Sequence, residues 1–408
     1  MMMKSLTLAW RNVLRNTRRS LMACGIVALG TVALLLTVGF VLATFLGLRE
    51  VTIHSDVGHI QVAAPGGFER ATEAGALLSA ERVKALEHAV EGLPGVRFAM
   101  PRLMFEGLAS TGDNTVAMIG RGVDPGREMR MSTMFAPIDA GLPLSGPKTP
   151  GKRPALLGRD LAHGLNVQPG EMVTILASMC GGGINAVDLD VCGTYRTGTP
   201  ERDARNVMMP LGIAQELLGV DGASRFVVVL NDTDTTEAAA KALRVAFPDL
   251  EVQAWRILSP FYDQVVTLYT NIFVVMCTII VFVVLLSVGN TMLMTVLERV
   301  REVGTMRAIG FPAARLSRGF ALEGAIVGMV GGFAGLAVAL IVSLAVTALG
   351  IEMPPPPGRT TPYPLIILVS GPAYGAVLLL MVLCGSVGAW VPAQHAVRKP
   401  IVEALGYD

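Results

Sequence analysis

The chain has 408 residues, 52% of them hydrophobic and 16% charged, with 33 Lys and Arg against 32 Asp and Glu. The charges are segregated: the windows 20–48, 264–297, 324–351 and 360–397 contain none, and each exceeds the roughly 20 apolar residues that a helix needs to cross a bilayer core. This excludes a soluble enzyme, a nucleic-acid binder and an outer-membrane barrel, whose strands would alternate instead of forming solid apolar blocks.

Residues 1–19 carry Lys4, Arg11, Arg15, Arg18 and Arg19 and no acid, the composition of a segment retained in the cytosol. Leu6, Trp10, Val13 and Leu14 fall on one helical face with Arg11, Arg15 and Arg18 off it, which predicts an amphipathic helix in the inner interface. The first transmembrane helix, 20–48, is too long for a signal-peptide core and lacks a small-residue cleavage site. Threading from there places 49–263 outside, a second helix at 264–297, a cytosolic loop at 298–323 and a third helix at 324–351. An extracytoplasmic link follows at 352–359, then a fourth helix at 360–394 and a cytosolic tail at 395–408. Arg299, Arg301, Arg307, Arg315 and Arg318 in the loop, with Arg398 and Lys399 in the tail, obey the same positive-inside rule. The expected fold class is an α-helical membrane protein with four transmembrane helices and a large extracytoplasmic α+β domain between the first and second.

Within 49–263, alternation and turn residues predict strands at 58–63, 96–100, 105–110 and 116–120, with a helix at 80–90. A Gly/Pro-rich connector, 140–154, precedes strands at 155–157, 172–177 and 187–193 and a helix at 159–165. Then come strand 207–210, helix 212–218, strand 225–230, helix 235–247 and strand 250–255. This reads as a small α+β subdomain beside a more β-rich insert. Cys180 and Cys192 lie in the disulfide-permissive compartment and are a possible pair, although a tight hairpin through 181–186 would not set them opposite each other.

Motifs for chemistry are missing. Residues 146–153, GPKTPGKR, imitate a phosphate-binding loop, but Arg153 replaces the magnesium-binding Ser or Thr and two prolines interrupt the loop. His54 and His59 have no helical spacing and no metal site is assigned. The apolar windows contain no ionisable Asp, Glu, Lys or Arg, which argues against ion-coupled transport.

The informative stretch is 297–316, LERVREVGTMRAIGFPAARL. Glu298, Arg299, Arg301, Glu302 and Arg307 extend the second span as a charged helix; Gly310, Phe311 and Pro312 break it, and a second short helix is predicted from Ala313. Val300, Val303, Met306 and Ile309 form a stripe that must cover something other than lipid. In the third span, Gly324, Gly328 and Gly332 give small-xxx-small packing, within the chain or across a dimer. In the outer link, Met353, Pro354, Pro355 and the prolines after them form a stiff strut. It is expected to pack near Phe261, Tyr262 and Tyr269, where a lipid-bearing substrate could enter.

With its LAWRNVLRN and RRS segments at 8–20, the 297–316 loop, the four-span layout, and the weaker TGTPERD at 197–203 and GHIQV at 58–62, the chain resembles a known permease family. That family includes the MacB, FtsX and lipoprotein-releasing LolC/LolE subunits, sometimes called type VII ABC transporters. The resemblance implies a bacterial inner-membrane permease working by mechanotransmission, with no catalytic residue and no cofactor of its own. ATP and magnesium would be bound by a cytosolic ABC ATPase dimer seated on Glu298, Arg299, Arg301, Glu302, Gly304, Met306, Arg307 and Gly310. A second permease chain would complete the membrane unit, and the cargo would be a lipoprotein or other amphiphile, with a periplasmic acceptor or adaptor and no nucleic acid. Lipoprotein release, drug or peptide efflux, and signalling to a cell-wall hydrolase remain the alternatives.

Overall fold

The computed structural model describes residues 10–12, 17–70, 74–132, 137–144, 152–354, 360, 362–398 and 400. In chain order the helices are α1 (Thr17–Thr52), α2 (Ala80–Glu91), α3 (Pro125–Ser132), α4 (Arg159–Leu165), α5 (Pro200–Asp203) and α6 (Leu211–Leu218). They continue with α7 (Thr236–Ala246), α8 (Trp255–Leu258), α9 (Pro260–Glu298), α10 (Val300–Ala308), α11 (Ala313–Leu349) and α12 (Gly371–Arg398). The strands are β1 (Ile60–Ala63), β2 (Val96–Ser110), β3 (Thr115–Val123), β4 (Ile138–Gly141), β5 (Pro154–Gly158) and β6 (Met172–Ser178). After them come β7 (Ile184–Tyr195), β8 (Asn206–Pro210), β9 (Arg225–Leu230), β10 (Glu251–Ala254), β11 (Glu352–Met353) and β12 (Tyr363–Pro364). The chain divides into a helical unit, Met1–Leu46 with Val266–Met353 and Pro364–Asp408, and an α/β unit, Gly47–Val265 with Pro354–Tyr363.

Among the described residues, α1, α9, α11 and α12 are long and apolar enough to cross a membrane. Lipid tails are as apolar as leucine, so spans select partners by close packing and not by hydrophobicity. The glycines of α11 do this on two faces. A Cβ on Gly324 would sit 2.6 Å from Ala389 Cβ, and one on Gly328 would sit 2.5 Å from the Met381 carbonyl oxygen, both on α12. A Cβ on Gly332 would sit 2.7 Å from Leu378 Cδ1 of α12, and one on Gly331 2.7 Å from the Cys24 carbonyl oxygen of α1. The small-xxx-small pattern is thus used inside one chain.

The fourth helix begins at Gly371 and not at residue 360. Pro362 and Pro364 cannot donate helical hydrogen bonds, and the extended segment binds elsewhere: Leu365 N–H donates to Ile351 O at 2.7 Å and Leu368 N–H to Gly39 O at 3.1 Å. Pro372 falls in the first turn, where a missing N–H costs nothing.

In the α/β unit, β10-β1-β9 and the first half of β2 form one sheet, covered by α2 and α7. Its core contains Ile60, Val62, Leu86, Val90, Phe226, Val228, Ala240 and Leu243. The second half of β2 enters a ring: β2-β3-β8-β5-β7 is closed by β6, which pairs with both β7 and β2. Leu103, Phe105, Met118, Leu157, Ile175, Leu189 and Val207 fill that second core. The strands expected at 96–100 and 105–110 are one: β2 exchanges β9 for β3 between Arg102 and Leu103, and Pro101, still paired with Phe226, lies just before that change of partner, where a proline is tolerated. Helix α3 lacks apolar periodicity and was invisible in the sequence; Glu128 anchors it through buried bonds from Arg102, Nε to Oε2 at 2.9 Å and Nη2 to Oε1 at 2.7 Å.

Cys180 and Cys192 are not bridged to each other. In the β6–β7 hairpin Ser178 pairs with Ile184 and Met172 with Asp190, so the two cysteines lie at opposite ends. From Ile184 to Cys192 the strand runs roughly 27 Å at about 3.4 Å per residue, far beyond disulfide reach. The backbone N–H of Cys180 donates to Leu218 O at 3.1 Å, and Cys192 Sγ donates to Ala155 O at 3.1 Å.

Candidate functional site

The 298–323 segment folds as an elbow in the helical unit. Helix α9 ends at Glu298, Arg299 leaves the helical region with φ −109° and ψ 11°, and α10 starts at Val300. The far end of α10 is closed by paired bonds, Gly310 N–H to Arg307 O at 3.0 Å and Phe311 N–H to Met306 O at 3.0 Å, around Gly310 at φ 98°. This is the Schellman arrangement, and only glycine enters that backbone region without strain. Pro312, extended at ψ 139°, then caps α11. The helix begun at Ala313 is not short: it continues unbroken to Leu349 as the third span, since no glycine or proline pair interrupts it at the level of Glu323.

The apolar stripe divides. Val300 and Val303 are buried with Phe320 of α11 and Ala393, Ala396 and Val397 of α12, which fixes α10 against its own chain. Met306 is half-buried, Ile309 is 74% exposed and Phe311 43% exposed, so the tip presents apolar surface. Of the charged residues expected here, Arg301 and Glu302 are exposed, Arg307 is half-buried, and Glu298 pairs with Arg19. Arg299 and Gly304 point inward. Arg299 Nε donates to Glu302 Oε2 at 3.0 Å and Nη1 to Glu323 Oε1 at 3.1 Å. Burial pulls the Arg299 guanidinium down, but the Glu323 and Glu302 carboxylates outweigh it and hold the group above its ordinary value. The surface able to meet another protein is therefore Arg301, Glu302, Ile309, Gly310 and Phe311, framed by a fixed interior.

The residues expected at a cargo entry fall in both units. Tyr262 is a core residue of the α/β unit, its ring 4.8 Å from that of Trp255 in T-shaped contact, while Phe261 is 64% exposed. Tyr269 stacks on Phe273 at 6.2 Å in the helical unit. Met353 is half-buried in β11, Pro354 is exposed, and Pro355 lies outside the described residues, as does most of the loop imitation at 146–153. His59 is buried and accepts from Leu230 N–H through Nδ1 at 3.2 Å, with Nε2 3.1 Å from Thr233 Oγ1; His54 lies 3.3 Å from Glu50. The TGTPERD stretch is a self-bonded turn: buried Asp203 accepts from Thr197 N–H at 2.8 Å and Gly198 N–H at 3.3 Å. Thr360 of the outer link donates to Gly198 O at 2.9 Å.

Sequence reasoning missed Glu323 and Phe320. Glu323 stands one position before a charge-free window and reads as the end of a loop; the available signal was a lone acid one turn after a phenylalanine in an otherwise apolar helix.

Comparison with known proteins bears on residues 20–246 and 274–401. Residues 20–246 match the model of the MacB-like periplasmic core domain, and residues 274–401 match that of the FtsX-like permease C-terminal region. The lipoprotein-releasing system transmembrane protein LolC of Xylella fastidiosa (strain Temecula1) is 24% identical over 60% of this chain and 60% of its own length. The macrolide export ATP-binding/permease protein MacB of Hyphomonas neptunium is 26% identical over 54% of this chain and 33% of its own. The chain spans 54% and 60% of the length of the curated relatives it matches first. The periplasmic region of MacB from Actinobacillus actinomycetemcomitans aligns with 52% of this chain and 94% of that one, at 10% identity and a TM-score of 0.37.

Proposed function

The chain belongs to the MacB/FtsX/LolC-type permease family of ABC transporters, and from that premise we propose that it is a force-transmitting subunit that releases lipoproteins from an inner membrane. In this reading both termini and the elbow are cytosolic, and the α/β unit is periplasmic. A separate ABC ATPase dimer binds ATP and magnesium and seats on the elbow, and a second permease chain completes the complex. The observation that supports the seat is the division of α10: Val300, Val303 and Arg299 secure it inward, leaving Arg301, Ile309 and Phe311 outward. A rigidly held helix with an apolar, basic tip is suited to receive a push and pass it on.

Lipoprotein cargo is favoured by the TGTPERD and GHIQV stretches and by the LolC relative. Efflux has support of the same rank from the MacB relative, and the FtsX-like model keeps signalling to a cell-wall hydrolase as a third outcome. Purification of the complex from its native membrane, with mass spectrometry of co-purifying chains, tests all three. Lipidated proteins and a lone ATPase are expected. A periplasmic adaptor with no lipidated protein would replace release by efflux, and a bound hydrolase would replace it by signalling.

A further inference from the structure

Asn12 and Arg299, far apart in sequence, meet at a side chain from a third segment. Glu323 on α11 is 6% exposed. A buried carboxylate must be satisfied by donors and a counter-charge, and its partners here come from different parts of the chain. Oε1 accepts from Asn12 Nδ2 at 2.6 Å and from Arg299 Nη1 at 3.1 Å; Oε2 accepts from the same Arg299 nitrogen at 3.2 Å. The Arg299 guanidinium also lies 5.4 Å from the ring centre of Phe320, one turn earlier on α11. Through Nε it holds Glu302 of α10, and Arg19 on α1 pairs with Glu298 at the end of α9. The segment before the first span, the end of the second, the elbow helix and the start of the third are thus gathered at one point.

The need for such a point follows from the backbone. Helix α10 is flanked by two breaks, Arg299 at one end and Gly310 at the other, and apolar contacts from Val300 and Val303 resist sliding poorly because they have no direction. A charge-assisted, hydrogen-bonded pair is directional. We infer that Glu323 is the positioning residue of the elbow: its buried carboxylate clamps Arg299 and Asn12 to the third-span helix, so that a displacement of α10 is carried into α11 and the N-terminal segment instead of being absorbed at the break. The clamp is a property of this chain alone; its use in coupling rests on the function proposed above.

The test uses the full chain in nanodiscs of phosphatidylethanolamine and phosphatidylglycerol, with hydrogen exchange read by mass spectrometry. In Glu323→Gln, amides 300–309 are expected to exchange about tenfold faster while 377–389 on α12 stay unchanged. The exchanged pair Arg299→Glu with Glu323→Arg should restore most of the protection. Unchanged exchange at 300–309 in both Glu323→Gln and Glu323→Ala would overturn the clamp, as would loosening spread evenly over all four spans. In the complex purified from native membranes, ATP with vanadate should alter exchange at 324–335 in the wild type and not in Glu323→Gln, with ATP turnover within about twofold; an equal response in both overturns the transmitting role. Failure to capture any ATPase would sink the function proposed above and leave the nanodisc result as the test of the clamp.

Discussion

Helices α9 and α11 are both long, apolar spans, yet they are built into the molecule in opposite ways. Within its most apolar window, 39% of α11 is buried and only 11% of α9. Helix α11 presents glycines to α12 and α1, so backbones touch; α9 is attached by a narrow stripe of Val284, Val288, Met292 and Val296, with Ile279, Phe282, Val283 and Leu286 turned outward. In a bilayer, where apolarity does not select partners, close backbone approach defines the rigid part and a sparse side-chain stripe defines the weakly held part. The weakly held span leads directly into the elbow, and the rigid one leaves it.

The sharpest way to break this contrast is to fill a glycine notch. Gly328→Leu would drive a side chain into the Met381 backbone, and overpacking of this kind costs about 1–3 kcal/mol. Phe282→Ala on the outward face of α9 should change stability by less than about 0.5 kcal/mol. Thermal unfolding of both variants in detergent checks this; equal losses would dissolve the distinction between the two spans.

Acid should separate the units instead of the spans. His59 is held down to about 4, first by burial and then by neighbouring His54 and Arg49. Its folded value lies below the unfolded one near 6.5, so the neutral ring stabilises the α/β unit fully above about pH 6.5. That contribution, about 3 kcal/mol, is lost as pH falls towards 4. His59→Gln should flatten the pH dependence of the α/β unit's unfolding midpoint over that window; an unchanged slope would contradict the buried neutral ring. The effect of Glu302→Lys on stability should be smaller still, under about 1 kcal/mol, because the Arg299 pair is half-open on the glutamate side. ATP turnover in the native complex should nonetheless lose its response to cargo. Least of all should change on reduction: denatured protein treated with iodoacetamide, with or without reductant, should be labelled at Cys180 and Cys192 alike.

The four spans were legible because the absence of charge over a bilayer's length has one cheap explanation. Most strands of the α/β unit were legible, β1 and β6 through alternation and β9 as a solid apolar run, whereas the largely exposed β4 was not. The start of α12 was missed although Pro362 and Pro364 announced it, because hydropathy continued across them while the hydrogen bonding did not. Helix α3 was missed because its anchor, Arg102 to Glu128, is a pair and not a period. Glu323 escaped for the same reason: Arg299 stands 24 positions away and Asn12 311 positions away, and a lone acid does not reveal distant donors. Pairing across the chain, unlike periodicity along it, is visible only when the fold is.

We propose that an ATPase seated on the elbow drives the chain. The most direct measurement is ATP hydrolysis by the purified chain and by the complex drawn from native membranes, each with and without Phe311→Asp. Hydrolysis is expected only in the wild-type complex, with the substitution releasing the ATPase. Turnover by the isolated chain, or an ATPase that remains bound to and unaffected by Phe311→Asp, would contradict it.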